Sequence, residues 1–146
     1  MRTLSTEIMI NAGKEKIWQI LSDFNAYPEW NPFITRISGE MKKGTRLHVT
    51  LNIEGRKPTS FTPDVLSVNP GEKFCWKGKL FINGIFDGTH YFILEATGEN
   101  RTRLIHGENF KGLLAGPILR KIGPATLKGF KKMNLALKEK AETRDF

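Results

Sequence analysis

The stretch "GIFDGTHYFILEATGENRTRLIHGENF" (84–110) decides the fold of this chain. Two long runs of alternating side chains flank "GEN" (98–100), which reads as a hairpin loop. In the first run His90, Phe92 and Leu94 share one face, and Tyr91 and Glu95 share the other. In the second run Leu104, His106, Glu108 and Phe110 share a face by the same period of two. Their apolar members make these the inner faces. A histidine and a carboxylate are thereby expected to meet inside the protein, with His90, His106 and Glu108 as the candidates.

The β pattern extends back to residue 33, with turn signals at short intervals. The strands expected are "PFITRISG" (32–39), "GTRLHVTLNIEG" (44–55), "TSFTPDVLSV" (59–68) and "KFCWKGKLF" (73–81), the last two separated by the turn "NPGE". In the second, Leu47, Val49, Leu51 and Ile53 alternate with polar residues. In the fourth, Phe74, Trp76 and Gly78 face away from Cys75, Lys77 and Lys79, which puts Cys75 outside the interior. Pro63 falls within a strand-like run, where it calls for a bulge or an edge. With "TLSTEIMI" (3–10) in front, the count is seven strands.

Helices bracket this series. "NAGKEKIWQILSDF" (11–24) is amphipathic, with Asn11 as its expected cap and Ile17, Trp18, Ile20 and Leu21 as its stripe. It cannot run past Tyr27, because Tyr27 and Asn31 each precede a proline. The aromatic-rich "FNAYPEWNPFI" (24–34) therefore turns, with room for one short helical turn. "GPATLKGFKKMNLALKEKAE" (123–142) is a long helix, with Pro124 suited to its first turn and "GPILRKI" (116–122) as an earlier turn of the same helix. Its apolar stripe runs Leu119, Ile122, Thr126, Phe130, Met133, Leu137. The order is strand, helix, turn, six strands, helix. Consecutive strands with short loops make an antiparallel meander, and the last helix covers its apolar face. The fold class is α+β: a seven-stranded curved sheet around a long C-terminal helix, with two short helices after the first strand.

A chain of 146 residues fits one domain, 1–146. A hydrophobic share of 39% with ten Phe excludes a disordered chain. One cysteine, Cys75, rules out an internal disulfide and fits a reducing, cytoplasmic setting. The opening residues lack the apolar core of a signal peptide, and "GLLAGPIL" (112–119) is too short to span a bilayer. The net charge of +8 is concentrated: residues 111–146 carry 9 Lys/Arg against 3 Asp/Glu, while residues 1–110 carry 14 against 12. Lys128, Lys131, Lys132, Lys138 and Lys140 lie mostly off the apolar stripe. They form either a solvated helix face or a surface for an anionic membrane or acidic protein. Base-stacking aromatics do not interleave with them, so nucleic acid is not an expected partner. Scattered His and Cys give no metal motif, and no GxSxG, phosphate loop or nucleophilic cysteine context occurs.

"YPEWNPFI", "FTPDVLSVNPGEKFCWKGKL" and the pair of pieces H-x-F-x-L-E (90–95) and E-x-F-x-G (108–112) together resemble the SRPBCC superfamily. That superfamily includes START-like lipid-binding domains, plant stress proteins and polyketide cyclases. The resemblance covers nearly the whole chain. It implies a helix-grip fold enclosing an apolar cavity. It also implies that the turn at 24–34 closes one mouth of that cavity, beneath the end of the long helix. The expected cavity wall is Trp30, Phe33, Leu47, Val49, Phe61, Phe74, Trp76, Phe92, Leu94, Phe110, Phe130 and Met133, with His90, His106 and Glu108 as polar anchors. Each aromatic alone is equally a core filler, and the polar trio equally a structural pair between strands. The function expected is binding or transport of a lipophilic small molecule, with no cofactor and no metal. The alternatives are a polyketide cyclase/aromatase-like enzyme, in which a histidine moves a proton, and a chaperone-activator-like interaction module.

Overall fold

The hairpin read at 84–110 forms as two long antiparallel strands. The computed structural model describes residues 2–79 and 84–143. β7 (Asp87–Gly98) and β8 (Arg101–Lys111) are joined by Glu99 and Asn100, and Asn100 takes a left-handed conformation (φ 55°). Asparagine tolerates this region better than most residues. The other strands are β1 (Arg2–Ile10), β2 (Ile34–Ser38), β3 (His48–Leu51), β4 (Thr59–Phe61), β5 (Asp64–Asn69) and β6 (Lys73–Lys79). The expected end of β6 at Leu80 and Phe81 lies outside the described residues. All pairings are antiparallel, in the orders β1-β8-β7-β6-β5 and β2-β3-β4.

Among the described residues eight strands replace the seven expected, and Pro63 is the reason. It cannot donate a ladder hydrogen bond, so "TSFTPDVLSV" breaks there into β4 and β5. The two sheets remain joined across the break. Leu47 N–H donates to Pro63 O (2.9 Å), Val65 N–H donates to Thr45 O (2.9 Å), and Arg46 bridges Asp64. Counted as one bent strand, β4 and β5 restore a single curved sheet of seven.

Three local expectations are corrected. α1 spans Lys14–Ser22 with Gly13 as its cap residue; Asn11 does not cap it and instead donates its backbone N–H to Glu142 Oε2 (3.3 Å). Tyr27 is helical (φ −53°, ψ −42°) although Pro28 follows. Tertiary contacts offset that local penalty: its hydroxyl donates to Leu21 O (2.6 Å), and its ring packs edge-on to Phe24 (5.7 Å) and Trp30 (5.2 Å). A 3₁₀ turn at Phe24–Ala26 and α2 (Tyr27–Trp30) complete the segment, which ends at Asn31 in extended conformation. The Asn31 side chain then accepts from the N–H groups of Phe33 and Ile34 (2.9 Å each) and launches β2. Finally, α3 runs unbroken from Ala115 to Glu142, so Pro124 is interior rather than in a first turn.

α3 packs on β1, β8 and α1. Phe33 is wedged against Gly129, where a Cβ would collide with its ring, and meets Phe130 edge-on at 5.4 Å. The buried residues of α3 include Thr126, Phe130, Met133 and Leu137 from the expected stripe, and also Asn134. Among the described residues no helix is long and apolar enough to cross a membrane.

Candidate ligand cavity and the histidine chain

The sheet faces read from the alternation hold in the register. His90 lies opposite Glu108, Phe92 opposite His106, and Trp76 opposite His90. Eight of the expected site residues pack there as a filled interior: Phe33, Phe74, Trp76, His90, Phe92, His106, Phe130 and Met133 are all buried. Leu47 and Leu94 are buried with them. Trp76 stacks on His90 at 4.8 Å, and Phe130 stacks on His106 at 4.3 Å.

Open space lies beside this cluster, under the first half of α3. A cavity of about 410 Å³ is lined by Leu51 and Phe61 of one sheet and Ile53 of the loop between them, and by Gly78, Gly88, Glu108 and Phe110 from the other sheet, with Ile118, Ile122 and Thr126 of α3 above. Phe86 lines it too and stacks flat on Phe110 at 5.3 Å. Arg56, Thr59 and Lys121 also line it and are exposed to solvent. Of the site residues expected from sequence, Phe61, Glu108 and Phe110 therefore border this cavity. Val49 borders, with Phe61, a separate groove of about 560 Å³ that also touches Phe24, Asn25 and Pro28. Trp30 is half-buried and borders neither. The lining lacks every residue of the 24–34 turn, so this mouth opens elsewhere.

Glu108 connects the cavity to the filled interior. Its Oε1 lies 3.2 Å from His90 Nδ1, and its side chain is 19% exposed against 4% for His90. Gly88 leaves room for this carboxylate, since a Cβ there would overlap Glu108 Oε2. Behind it, His90 Nε2 lies 2.8 Å from His106 Nε2, and His106 Nδ1 lies 2.8 Å from Asn134 Oδ1. Asn134 Nδ2 donates to Thr6 Oγ1 (2.8 Å), and the Thr6 hydroxyl donates to His106 O (2.8 Å).

Counting donors assigns the protons. The single Thr6 hydroxyl proton is committed to His106 O, so Asn134 must donate to Thr6 and turn its carbonyl to His106. His106 Nδ1–H donates to that carbonyl, leaving Nε2 of a neutral His106 as an acceptor. His90 Nε2–H then donates to it. What remains is His90 Nδ1 facing Glu108 Oε1, and that contact needs one proton. The pair is either imidazolium–carboxylate or imidazole–carboxylic acid. Burial first, then the charge of His90, holds His106 well below its ordinary value, in keeping with a neutral ring. The chain thus ends, at the cavity, in one exchangeable proton.

Sequence reasoning missed Asn134 and the α3 and Phe86 lining. Asn134 carried a signal: it stands four residues after Phe130, where a polar side chain on a buried helix face needs partners. Among the described residues, no group of three or more His, Cys, Asp or Glu side chains is placed to hold a metal ion.

No curated protein matches this chain. Solved structures do, at the level of fold. A START superfamily protein from Mycobacterium smegmatis is 23% identical, with 96% of this chain and 97% of that chain covered and a TM-score of 0.71. The Zhui aromatase/cyclase from a Streptomyces species is 16% identical, with 97% and 93% covered and a TM-score of 0.77. Norcoclaurine synthase from Thalictrum flavum, in complex with dopamine and hydroxybenzaldehyde, is 13% identical, with 99% and 89% covered and a TM-score of 0.72. The family described as polyketide cyclase / dehydrase and lipid transport matches residues 1–142, and the chain belongs to it.

Proposed function

We propose that this protein binds a lipophilic small molecule in the cavity beneath α3, with Glu108 as its polar anchor. The observation that carries this reading is an apolar cavity of about 410 Å³, a ligand-sized volume, into which one carboxylate projects. The ligand's apolar body lies against Ile53, Phe61, Phe110 and Ile122, and a hydroxyl or amine on it donates to Glu108. Hiding about 200 Å² of apolar surface contributes roughly 5 kcal/mol before costs, which is sub-millimolar binding without the anchor. His90 and His106 act through Glu108 in this reading. The buried aromatics set the depth of the cavity. As a carrier, the protein would make transient contact with an anionic surface.

Incubation with a mixed lipid extract, followed by native mass spectrometry, tests the reading. A retained molecule that is lost in Ile122→Trp, which fills the cavity, is the expected result. No retained molecule, with both proteins giving the same spectrum, overturns it.

A second reading is favoured by the exchangeable proton. A Glu108–His90 pair beside an apolar chamber can take a proton from a reactive polyketone and return it during cyclisation. Turnover of such a substrate unchanged by Glu108→Gln and His90→Ala would exclude that chemistry.

A further inference from the structure

We propose that the loop between β8 and α3 is a membrane-docking element that seats the N-terminal end of α3, the part of the helix that covers the cavity, on an anionic lipid surface. Leu113 and Leu114 are large apolar side chains at the protein surface, 83% and 48% exposed. Neither belongs to the hydrophobic core cluster, and two adjacent exposed leucines fit insertion among lipid tails. Around them stand Arg2, Lys111, Arg120 and Lys121, none with a carboxylate partner among the described residues. No acidic residue occurs between Glu108 and Glu139. Asp87, opposite Lys111 across the strand pair, is buried and accepts the Gly84 N–H (3.0 Å).

Three other lysines of α3 are engaged, while Lys131 and Lys140 are exposed and have no carboxylate partner among the described residues. Lys128 and Lys132 both reach Glu54 (2.7 and 3.8 Å), and Lys138 holds Glu142 (2.5 Å) and Met9 O (2.9 Å). The largest group of cations without a carboxylate partner, Arg2, Lys111, Arg120 and Lys121, stands toward the N-terminal end of α3, on the side of the leucines. The same N-terminal half of α3 also covers the cavity. Ile118, one turn beyond Leu114, lines the cavity, as do Phe110 and Lys121. A bilayer touching Leu113 would lie beside the turns of α3 that cover the cavity, near Ile118 and Lys121. This placement builds on the ligand-binding reading, but the docking itself does not need a ligand.

A cation held at an anionic leaflet changes partitioning by about fivefold, and neutralising two multiplies these factors. The test is flotation of the full chain with vesicles of phosphatidylcholine containing 30% phosphatidylserine, or of phosphatidylcholine alone, at low salt. Binding to the anionic vesicles only is expected. Lys111→Gln with Lys121→Gln should weaken it about 25-fold, and Leu113→Asn with Leu114→Asn at least tenfold. Lys128→Gln with Lys132→Gln should change it less than twofold. All replaced side chains are exposed or half-exposed, and circular dichroism checks that each variant folds. Absence of binding overturns the proposal, as does an equal loss from the Lys128/Lys132 pair. Equal binding to soluble polyglutamate, unaffected by the leucine changes, would assign the patch to an acidic protein instead. Ligand-free vesicles are used, so either failure leaves the ligand-retention experiment standing on its own.

Discussion

Lowering the pH from 7.5 to 5.0 should weaken this protein through one side chain, His106. The ring is buried between Phe92, Phe130 and His90, with Asn134 Oδ1 at 2.8 Å. Burial, then the charge of His90, depresses its protonation well below the ordinary 6.5. Besides His106 itself, the titratable groups of this hydrogen-bonded chain are His90 on β7 and Glu108 on β8, and α3 contributes two neutral partners, the Asn134 side chain and the Phe130 backbone. In the unfolded chain His106 takes up a proton as the pH falls through about 6.5; in the folded chain it does not. The unfolded state then binds more protons, so stability falls with pH, starting near 6.5 and continuing down to the folded-state value. Each pH unit is worth about 1.4 kcal/mol, so the loss by pH 5.0 approaches about 2 kcal/mol. Urea unfolding of the wild type and His106→Gln at both pH values isolates the effect, because other carboxylates and histidines titrate in both proteins. Glutamine can still accept from His90 and donate to Asn134. The stability advantage of the wild type over the variant should shrink by about 2 kcal/mol between pH 7.5 and 5.0. An advantage that stays constant, or grows, would show that folded His106 carries the charge, and the proton assignment along the chain would fail with it.

Other expectations rest on single contacts. Gly129→Ala drives a methyl group into the Phe33 ring and should lower stability by about 1–3 kcal/mol, despite alanine's better helix propensity; a raised melting temperature would refute the tight seat of α3. Glu108→Gln lets the amide donate to His90 Nδ1, so the chain closes without an exchangeable proton. Stability should change by less than about 1 kcal/mol, while a hydroxyl-bearing ligand binds roughly tenfold more weakly, measured by calorimetry. Phe61 borders both the cavity and the outer groove, so Phe61→Ala should join them and let longer ligands be retained in native mass spectrometry.

Much of the fold was legible because its determinants are local. Period-two alternation assigned the inner faces of β7 and β8, and the register confirms that His90, Phe92 and Leu94 sit opposite Glu108, His106 and Leu104. Pro63 announced an irregularity, but not that it would divide one strand between two sheets. Tyr27 went against its local preference because a buried hydroxyl bond and two ring contacts lie outside the reach of a nearest-neighbour rule. The site was less legible. Alternation places Phe74, Phe92 and Phe110 on the same side of the sheet alike, and all three are buried, yet of the three Phe110 alone borders the open space.

From residues alone, then, came the order of elements, the covering of the sheet by the last helix, and the inward direction of two histidines and a carboxylate. These follow from backbone periodicity and from what proline and glycine permit, which neighbours in the chain settle among themselves. Depth came only with the tertiary structure. Phe33 seats on Gly129 and sets how closely the middle of α3 approaches the sheet, and the space left under its first half becomes the cavity. The same seat brings Asn134 to His106 and, through His90, leaves a single proton at Glu108. Hydrogen-bond counting of that kind needs partners from β1, β7, β8 and α3 at once, and residues 128 positions apart meet only when the chain is packed.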